Sequence, residues 1–186
     1  MSVILPVVGW DPSLTGSGLA STADDGQWAL IGNKGLTSLP LLKRIAALRQ
    51  LRFDVASWIV QQCPELVGIE QPAFSRAGGG AVERHWLFYA VIDDLTLRCF
   101  PIAVVTPTAR ALYACGKGNA KKSAVVDAVA RRWPQFETKG DDNVCDAVTL
   151  AALGADHLGR PLAPMPATHR AALAKVNWPN LIGDNT

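Results

Sequence analysis

No apolar run in this sequence approaches the ~20 residues that a membrane-spanning helix needs. Its four cysteines, Cys63, Cys99, Cys115 and Cys145, make no Cys-x-x-Cys pair and no Cys/His spacing, which argues against structural zinc. His85 also lacks a partner at metal-ligand spacing and reads as a surface or structural residue. There is no internal repeat and no basic leader. The first apolar run is short and passes straight into Asp11-Pro12, so it reads as a strand and not as a signal peptide. These absences point to a cytoplasmic protein whose cysteines are reduced, buried thiols.

What is present fits a globular, soluble chain. At 186 residues, 49% hydrophobic and 18% charged, it can bury a sizeable core. The net charge of +2 is small but unevenly spread. Between Arg110 and Lys139 seven Lys/Arg stand against two acids, a local balance of +5. Such a stretch is either a solvated helix face or a surface for a polyanion.

The hydrophobic pattern predicts alternating strands and helices. Residues 3–10 read as a buried strand, and Gly16-Ser17-Gly18 turns into a second over Leu19–Thr22. Asp24-Asp25-Gly26 supplies hairpin chemistry leading to a third over Gln27–Gly32. A long helix over 39–62 carries Leu41, Ile45, Leu48, Val55 and Ile59 on one face, and Pro64 closes it. Then come a strand over Leu66–Glu70, a Gly-rich loop to Gly80, a helix over Ala81–Leu97 and a strand over Pro101–Thr106. Pro107 opens a short helix, a helix follows over Ala120–Trp133, and the last core helix runs from near Asp141 to His157. Residues 1–160 thus form one α/β domain. Residues 161–186 are a Pro-containing linker and a short helix over Thr168–Val176, with Thr168 as its N-cap.

Four acidic positions stand out against this frame. Asp11 follows the first strand, Glu70 ends another, and Asp142 and Asp146 lie one helical turn apart near the start of the last core helix. On a helical wheel Asp142, Asn143 and Asp146 share a flank, while Val144, Val148, Ala151 and Ala155 form the inward stripe. Asp141 suits a helix N-cap, and Asp11-Pro12-Ser13 is also good turn chemistry. Asp146 gains little from capping. Converging carboxylates repel one another, and divalent ions are the usual remedy, so the pattern points to metal-dependent chemistry on phosphates.

Four segments resemble the RuvC-type Holliday junction resolvases. Gly9-Trp10-Asp11-Pro12-Ser13-Leu14-Thr15-Gly16-Ser17-Gly18 is similar to the family's first-strand motif, and Ile69-Glu70-Gln71-Pro72 to its second acidic motif. Gly116-Lys117-Gly118-Asn119-Ala120-Lys121-Lys122 resembles its Gly-x-Gly-x-Ala-x-Lys segment. Asp142-Asn143-Val144-Cys145-Asp146-Ala147 resembles its helical acidic motif, most closely the form found in phage-type members. The motifs stand in family order over residues 3–158. One departure concerns the last two ligands, which usually stand three residues apart; that spacing selects Asn143 beside Asp146, with Asp142 as the alternative carboxylate.

The resemblance implies a ribonuclease-H-like mixed five-stranded sheet, three antiparallel strands then parallel ones, flanked by helices. It implies a homodimer that nicks branched DNA with two Mg²⁺ ions per site, Mn²⁺ substituting, and leaves 5′-phosphate and 3′-hydroxyl ends. Asp11, Glu70, Asp142, Asn143 and Asp146 become the candidate metal ligands. Lys122 matches a lysine near the scissile phosphate, able to stabilise charge in the transition state. Phe74 matches an aromatic that stacks on an unpaired base, beside Arg76 and the Gly78-Gly79-Gly80 run. Arg110, Lys117 and Lys121 are candidate phosphate contacts. The helix carrying Trp86, Leu87, Phe88 and Val91 is a candidate dimer interface, with core packing as its competing role. A phage-encoded protein acting in a host cytoplasm fits the same resemblance.

The same residues admit other readings. An actin-like or sugar-kinase-like ATPase also places Asp-x-x-x-Thr-Gly after a strand, but needs two such lobes. A non-catalytic DNA-binding module would find its acids a liability against phosphate. Other ribonuclease-H-like nucleases, acting on forks, flaps or RNA:DNA hybrids, share the same site.

Overall fold

The computed structural model describes residues 4–23, 26–72 and 80–180. Five strands form one sheet in the order β3-β2-β1-β4-β5. The central strand β1 (Val7–Asp11) starts directly after Pro6, whose ring nitrogen has no proton to give a ladder. The strand is therefore shorter than the sequence predicts, and Ile4 and Leu5 are exposed. β2 (Ser17–Ser21) pairs antiparallel with β1 and with β3 (Gln27–Ile31). On the other side β4 (Leu66–Glu70) pairs parallel with β1, and β5 (Ile102–Val105) parallel with β4. This is the expected mixed sheet. The turn residues Asp24 and Asp25 lie outside the described residues.

The period-2 alternation of the strands divides the core between two faces. Val8, Trp10, Leu19, Val67 and Ile69 point to the side covered by α1 (Leu41–Gln61) and α2 (Ala81–Leu97). Val7, Ala20, Leu66, Ala103 and Val105 point to the opposite side. There they meet α3 (Pro107–Cys115), α4 (Lys122–Arg132) and α5 (Asp142–His157). In α1 the expected stripe is buried at Leu48, Val55 and Ile59, joined by Leu51, but Leu41 in the first turn is exposed. In α2, Leu87, Phe88 and Val91 are buried against this core, so core packing claims those three interface candidates. Trp86 stays exposed.

α5 differs from its wheel reading. Every residue from Val144 to Asp156 is buried, so the helix is enclosed on all sides and not along one stripe. A helix apolar around most of its circumference has to be interior. Of the cysteines, only Cys145 is buried; Cys63 and Cys99 are exposed at left-handed backbone positions just past α1 and α2, and Cys115 is half-buried. All four are free thiols, so the expectation of burial holds for one.

Beyond α5 the chain folds back over α3. The helix expected over Thr168–Val176 is broken into α6 (Ala167–Arg170), with Pro166 and not Thr168 at its cap position, and a 3-10 turn over Leu173–Lys175. Ala172 and Val176 are buried, and the Trp178 ring stacks on His157 at 3.9 Å between centroids. Arg170 forms an ion pair with the buried Asp156, to which the Tyr113 hydroxyl also donates a hydrogen bond. Among the described residues no helix is long and apolar enough to cross a membrane.

Candidate active site

The carboxyl ends of the three parallel strands converge on one edge of the sheet. Val7 to Trp10 pair in register with Leu66 to Ile69, so Asp11 and Glu70 are the next residues of two neighbouring strands. Alternation fixes the face: Asp11 shares a side with Val7 and Gly9, and Glu70 with Leu66 and Gly68. That is the side on which α5 lies, because Gly9 faces Ala147 and Gly68 faces Leu150. β5 ends beside Glu70, and Thr106 then caps α3 through its hydroxyl, which accepts from the Ala109 N–H at 3.2 Å. Pro107 occupies the first position of α3, so Arg110 lies in the first turn of the helix that follows the strand.

α5 reaches this edge because two strand residues have no side chain. A Cβ at Gly18 would stand 2.0 Å from the Asn143 carbonyl oxygen, and one at Gly9 would stand 2.0 Å from that of Ala147. Gly18 is also the cross-strand partner of Asp11. The helix begins with Asp141, whose carboxylate accepts from the Val144 N–H at 3.0 Å, the capping role expected for it. From there Asn143 and Asp146 project toward the strand ends. Below Asp11, the Ser17 hydroxyl donates to the Ser13 carbonyl at 2.7 Å and accepts from the Ser13 N–H at 3.0 Å, fixing the turn.

The result is a cleft of about 330 Å³ whose walls include Asp11, Glu70, Arg110, Lys122, Asn143 and Asp146. Arg110 sits among the acids and is itself 8% exposed. Its Nε and Nη2 donate to the two Glu70 carboxylate oxygens, and its Nη1 lies 2.6 Å from Asp146 Oδ1. Lys122, the first residue of α4, pairs instead with Asp142. Asn143 donates its amide N–H to the Gly16 carbonyl at 2.8 Å. A carbonyl only accepts, so the nitrogen must face Gly16 and the amide oxygen is turned the other way.

Charge in the cleft follows from burial and crowding. Asp11 is held well above the usual carboxylate range by its burial, with the Glu70 and Asp146 charges adding to the effect; Arg110 and Lys122 offset part of it. Asp146 is pushed up to about 7, again chiefly by burial, which outweighs the opposing pull of Arg110. Burial disfavours the Arg110 charge, but Glu70, Asp146 and Asp11 together hold the guanidinium more firmly protonated than usual. At the more exposed rim, the hydrogen bond between Lys122 and Asp142 lowers the carboxyl and raises the ammonium. Among the described residues, no three His, Cys, Asp or Glu side chains stand in an arrangement ready to hold a metal ion. Glu70 and Asp146 are engaged with a guanidinium.

The structure therefore brings together Asp11, Glu70, Asn143, Asp146, Arg110 and Lys122. Asp142 is not part of the cleft wall and adjoins it through Lys122. Lys117 and Lys121 are exposed in the segment leading into α4, outside the wall. Phe74 and Arg76, with Gly78 and Gly79, lie outside the described residues. Sequence reasoning missed Arg84, which lines the cleft from the first turn of α2, and Gln71, whose N–H donates to Val105. The signal for Arg84 was its position: α2 is the return of the loop that leaves Glu70.

No protein-family model matches the chain, and no curated protein matches it by sequence. Solved structures do. RuvC of Thermus thermophilus superposes with a TM-score of 0.62 at 20% identity, over 84% of this chain and 98% of that one. The T. thermophilus RuvC in complex with a Holliday junction substrate gives 0.63 at 20% identity, over 88% and 100%. The yeast mitochondrial Holliday junction resolvase Ydc2 gives 0.50 at 13% identity, over 94% and 83%. The chain thus has the fold of RuvC, a ribonuclease-H-like mixed five-stranded sheet flanked by helices.

Proposed function

We propose that this protein is a metal-dependent, structure-selective DNA endonuclease that resolves Holliday junctions, a RuvC-type resolvase. The observation that carries the reading is the cleft itself. Three carboxylates from two neighbouring strand ends and one buried helix meet there, with the Asn143 amide from the same helix and three basic side chains, Arg84, Arg110 and Lys122. The donor set is all oxygen, the chemistry that hard divalent cations select. Asp11, Glu70 and Asp146 would hold Mg²⁺ or Mn²⁺, with Asn143 favoured over Asp142 as the fourth ligand by its place in the wall. Two such ions would supply an activated water, neutralisation of the phosphoryl charge and help for the departing 3′ oxygen.

The chain's own residues account for the rest. Lys122 brings a positive charge to the cleft mouth, where a phosphate oxygen gains charge in the transition state. Lys117 and Lys121, exposed just before it, are suited to neighbouring phosphates, and Arg84, also in the cleft wall, adds a further cation. Phe74 is assigned to stacking on an unpaired base of the junction, and Arg76 to DNA binding in the same loop. Cutting leaves 5′-phosphate and 3′-hydroxyl ends.

A homodimer suits a substrate with two equivalent strands to cut. Val82, Trp86 and Tyr89 form an exposed apolar stripe on α2, beside a groove lined by Leu41, Ile45 and Leu48 of α1. This stripe supports a two-fold interface better than the buried Leu87, Phe88 and Val91. The test is nicking of synthetic four-way junctions, forks and flaps by the purified protein. Symmetrical nicks in the four-way junction with Mg²⁺ or Mn²⁺, and none in EDTA, are expected. Equal cutting in EDTA, or cutting of RNA:DNA hybrid in preference to junctions, would defeat the reading.

A further inference from the structure

Resting on the metal-dependent reading above, we propose that the Arg110 guanidinium is a built-in counter-cation, standing between Glu70 and Asp146 until a divalent ion displaces it. Three features of the cleft lead there. First, the guanidinium is bound on three of its nitrogens by the two carboxylates: Nε and Nη2 by Glu70, and Nη1 by Asp146. Both oxygens of Glu70 and one of Asp146 are therefore committed to it. Second, the cluster is almost closed to water, with side-chain exposures of 9% for Arg110, 12% for Glu70 and 6% for Asp146. Ionised carboxylates this close repel one another, and the arginine offsets that repulsion where α5 and the strand ends meet before any ion arrives.

The third feature is the charge balance. Asp11, Glu70 and Asp146 carry up to three negative charges; of the basic side chains in the wall, Arg110 is ion-paired with two of these acids, whereas Lys122 is ion-paired with Asp142 at the rim. With Arg110 in place, one divalent ion completes the compensation of the three carboxylates. A second would leave Arg110 as surplus positive charge in a site of low dielectric, where like charges repel strongly. The guanidinium and a full set of ions are thus competitors for the same oxygens. Arg110 belongs to the first turn of α3 and lines the cleft wall, so its side chain and an entering ion share the same space. Preassembly of the acids is gained, and a threshold in metal concentration follows from it.

Two measurements test the proposal, neither of them activity. Manganese binding to the DNA-free protein can be counted by the electron spin resonance signal of unbound Mn²⁺. Arg110→Gln removes the competing charge, so it should bind Mn²⁺ on the order of ten-fold more tightly than the wild type. In the wild type, the Arg110 Nε–H resonance, assigned by its loss in Arg110→Lys, should leave its ion-paired position as Mg²⁺ saturates the site. This second reading does not depend on Arg110→Gln folding, and it decides the matter if that variant is unstable. Metal binding with an unmoved Arg110 resonance, or equal or weaker binding by a folded Arg110→Gln, would overturn the displacement while leaving the nuclease reading intact. Absence of divalent binding in both proteins would remove the metal reading itself.

Discussion

Gly9 of β1 and Ala147 of α5 approach so closely that a Cβ on the glycine would lie 2.0 Å from the alanine carbonyl oxygen. The neighbouring residue on the helix is Asp146, and Asp11 stands two residues along the same face of the strand. The distance between those two acids is therefore set by a backbone contact that only glycine permits. Gly18 repeats the device one strand over, against the Asn143 carbonyl.

Substituting either glycine should separate the acids. Gly18→Ala is expected to lower stability by roughly 1–3 kcal/mol, since helix and strand are both backbone at the clash and neither can rotate away. Chemical denaturation measures that cost. Junction nicking should fall more than the folded fraction does, because the helix must shift as a unit. A Gly18→Ala protein with wild-type stability and rate would contradict the packing described.

Asn143 and Asp142 separate cleanly. Asn143 lines the cleft and is oriented by the Gly16 carbonyl, whereas Asp142 is paired with Lys122 at the rim. Asn143→Ala should reduce nicking by about 10–100-fold, the usual effect of losing an oriented metal-site group. Asp142→Ala should cost less than Asn143→Ala, and its loss should follow that of Lys122→Ala because the two share one ion pair. The reverse ranking would return Asp142 to the ligand set.

Stability in the presence of EDTA should fall as pH rises toward neutrality. Asp146 titrates near 7 in the folded chain because it is buried, against 3.8 for an ordinary aspartate. Between those values the folded state binds more protons than the unfolded one, so raising the pH favours unfolding. Asp11 shifts the same way. Melting temperatures across pH 4 to 7 should decline for the wild type, and the Asp146→Asn protein should lose part of that slope. A wild-type stability that rises over this window would contradict the burial of these acids.

The segment that returns over α3 is fastened by Arg170 on the buried Asp156. Arg170→Ala should cost about 1–2 kcal/mol, below the 3–5 kcal/mol of a fully buried pair, because the arginine is half-exposed and the Tyr113 hydroxyl still reaches Asp156. Nicking by the protein that remains folded should be unchanged, since this ion pair lies outside the cleft. Denaturation and a rate per folded molecule check both statements.

Much of this arrangement is legible in the sequence, for identifiable reasons. β4 and α2 have the predicted bounds because Pro64 stands just before the strand and Gly80 just before the helix. Asp11 and Glu70 could be placed because each ends an apolar strand, and period-2 alternation already sets both on one face. The surroundings of α5 were not legible. Small residues make its wheel look one-sided, yet alanine packs on any side, and the helix is enclosed all round. Arg110 was read as a contact for phosphate; nothing in its local sequence shows that α3 turns it back onto Glu70. The competition between chain-internal and solvent partners is decided only when the strand ends meet. Thr168 fails as a cap because Pro166 already fixes the extended residue before the turn.

The central claim is that folding gathers Asp11, Glu70 and Asp146 around divalent ions. Anomalous diffraction from a crystal soaked in Mn²⁺ tests it most directly. The account predicts manganese peaks within coordination distance of oxygens from all three carboxylates, with the Asn143 amide oxygen alongside. Full manganese saturation with no peak in the cleft, or a peak held by other residues, would contradict it.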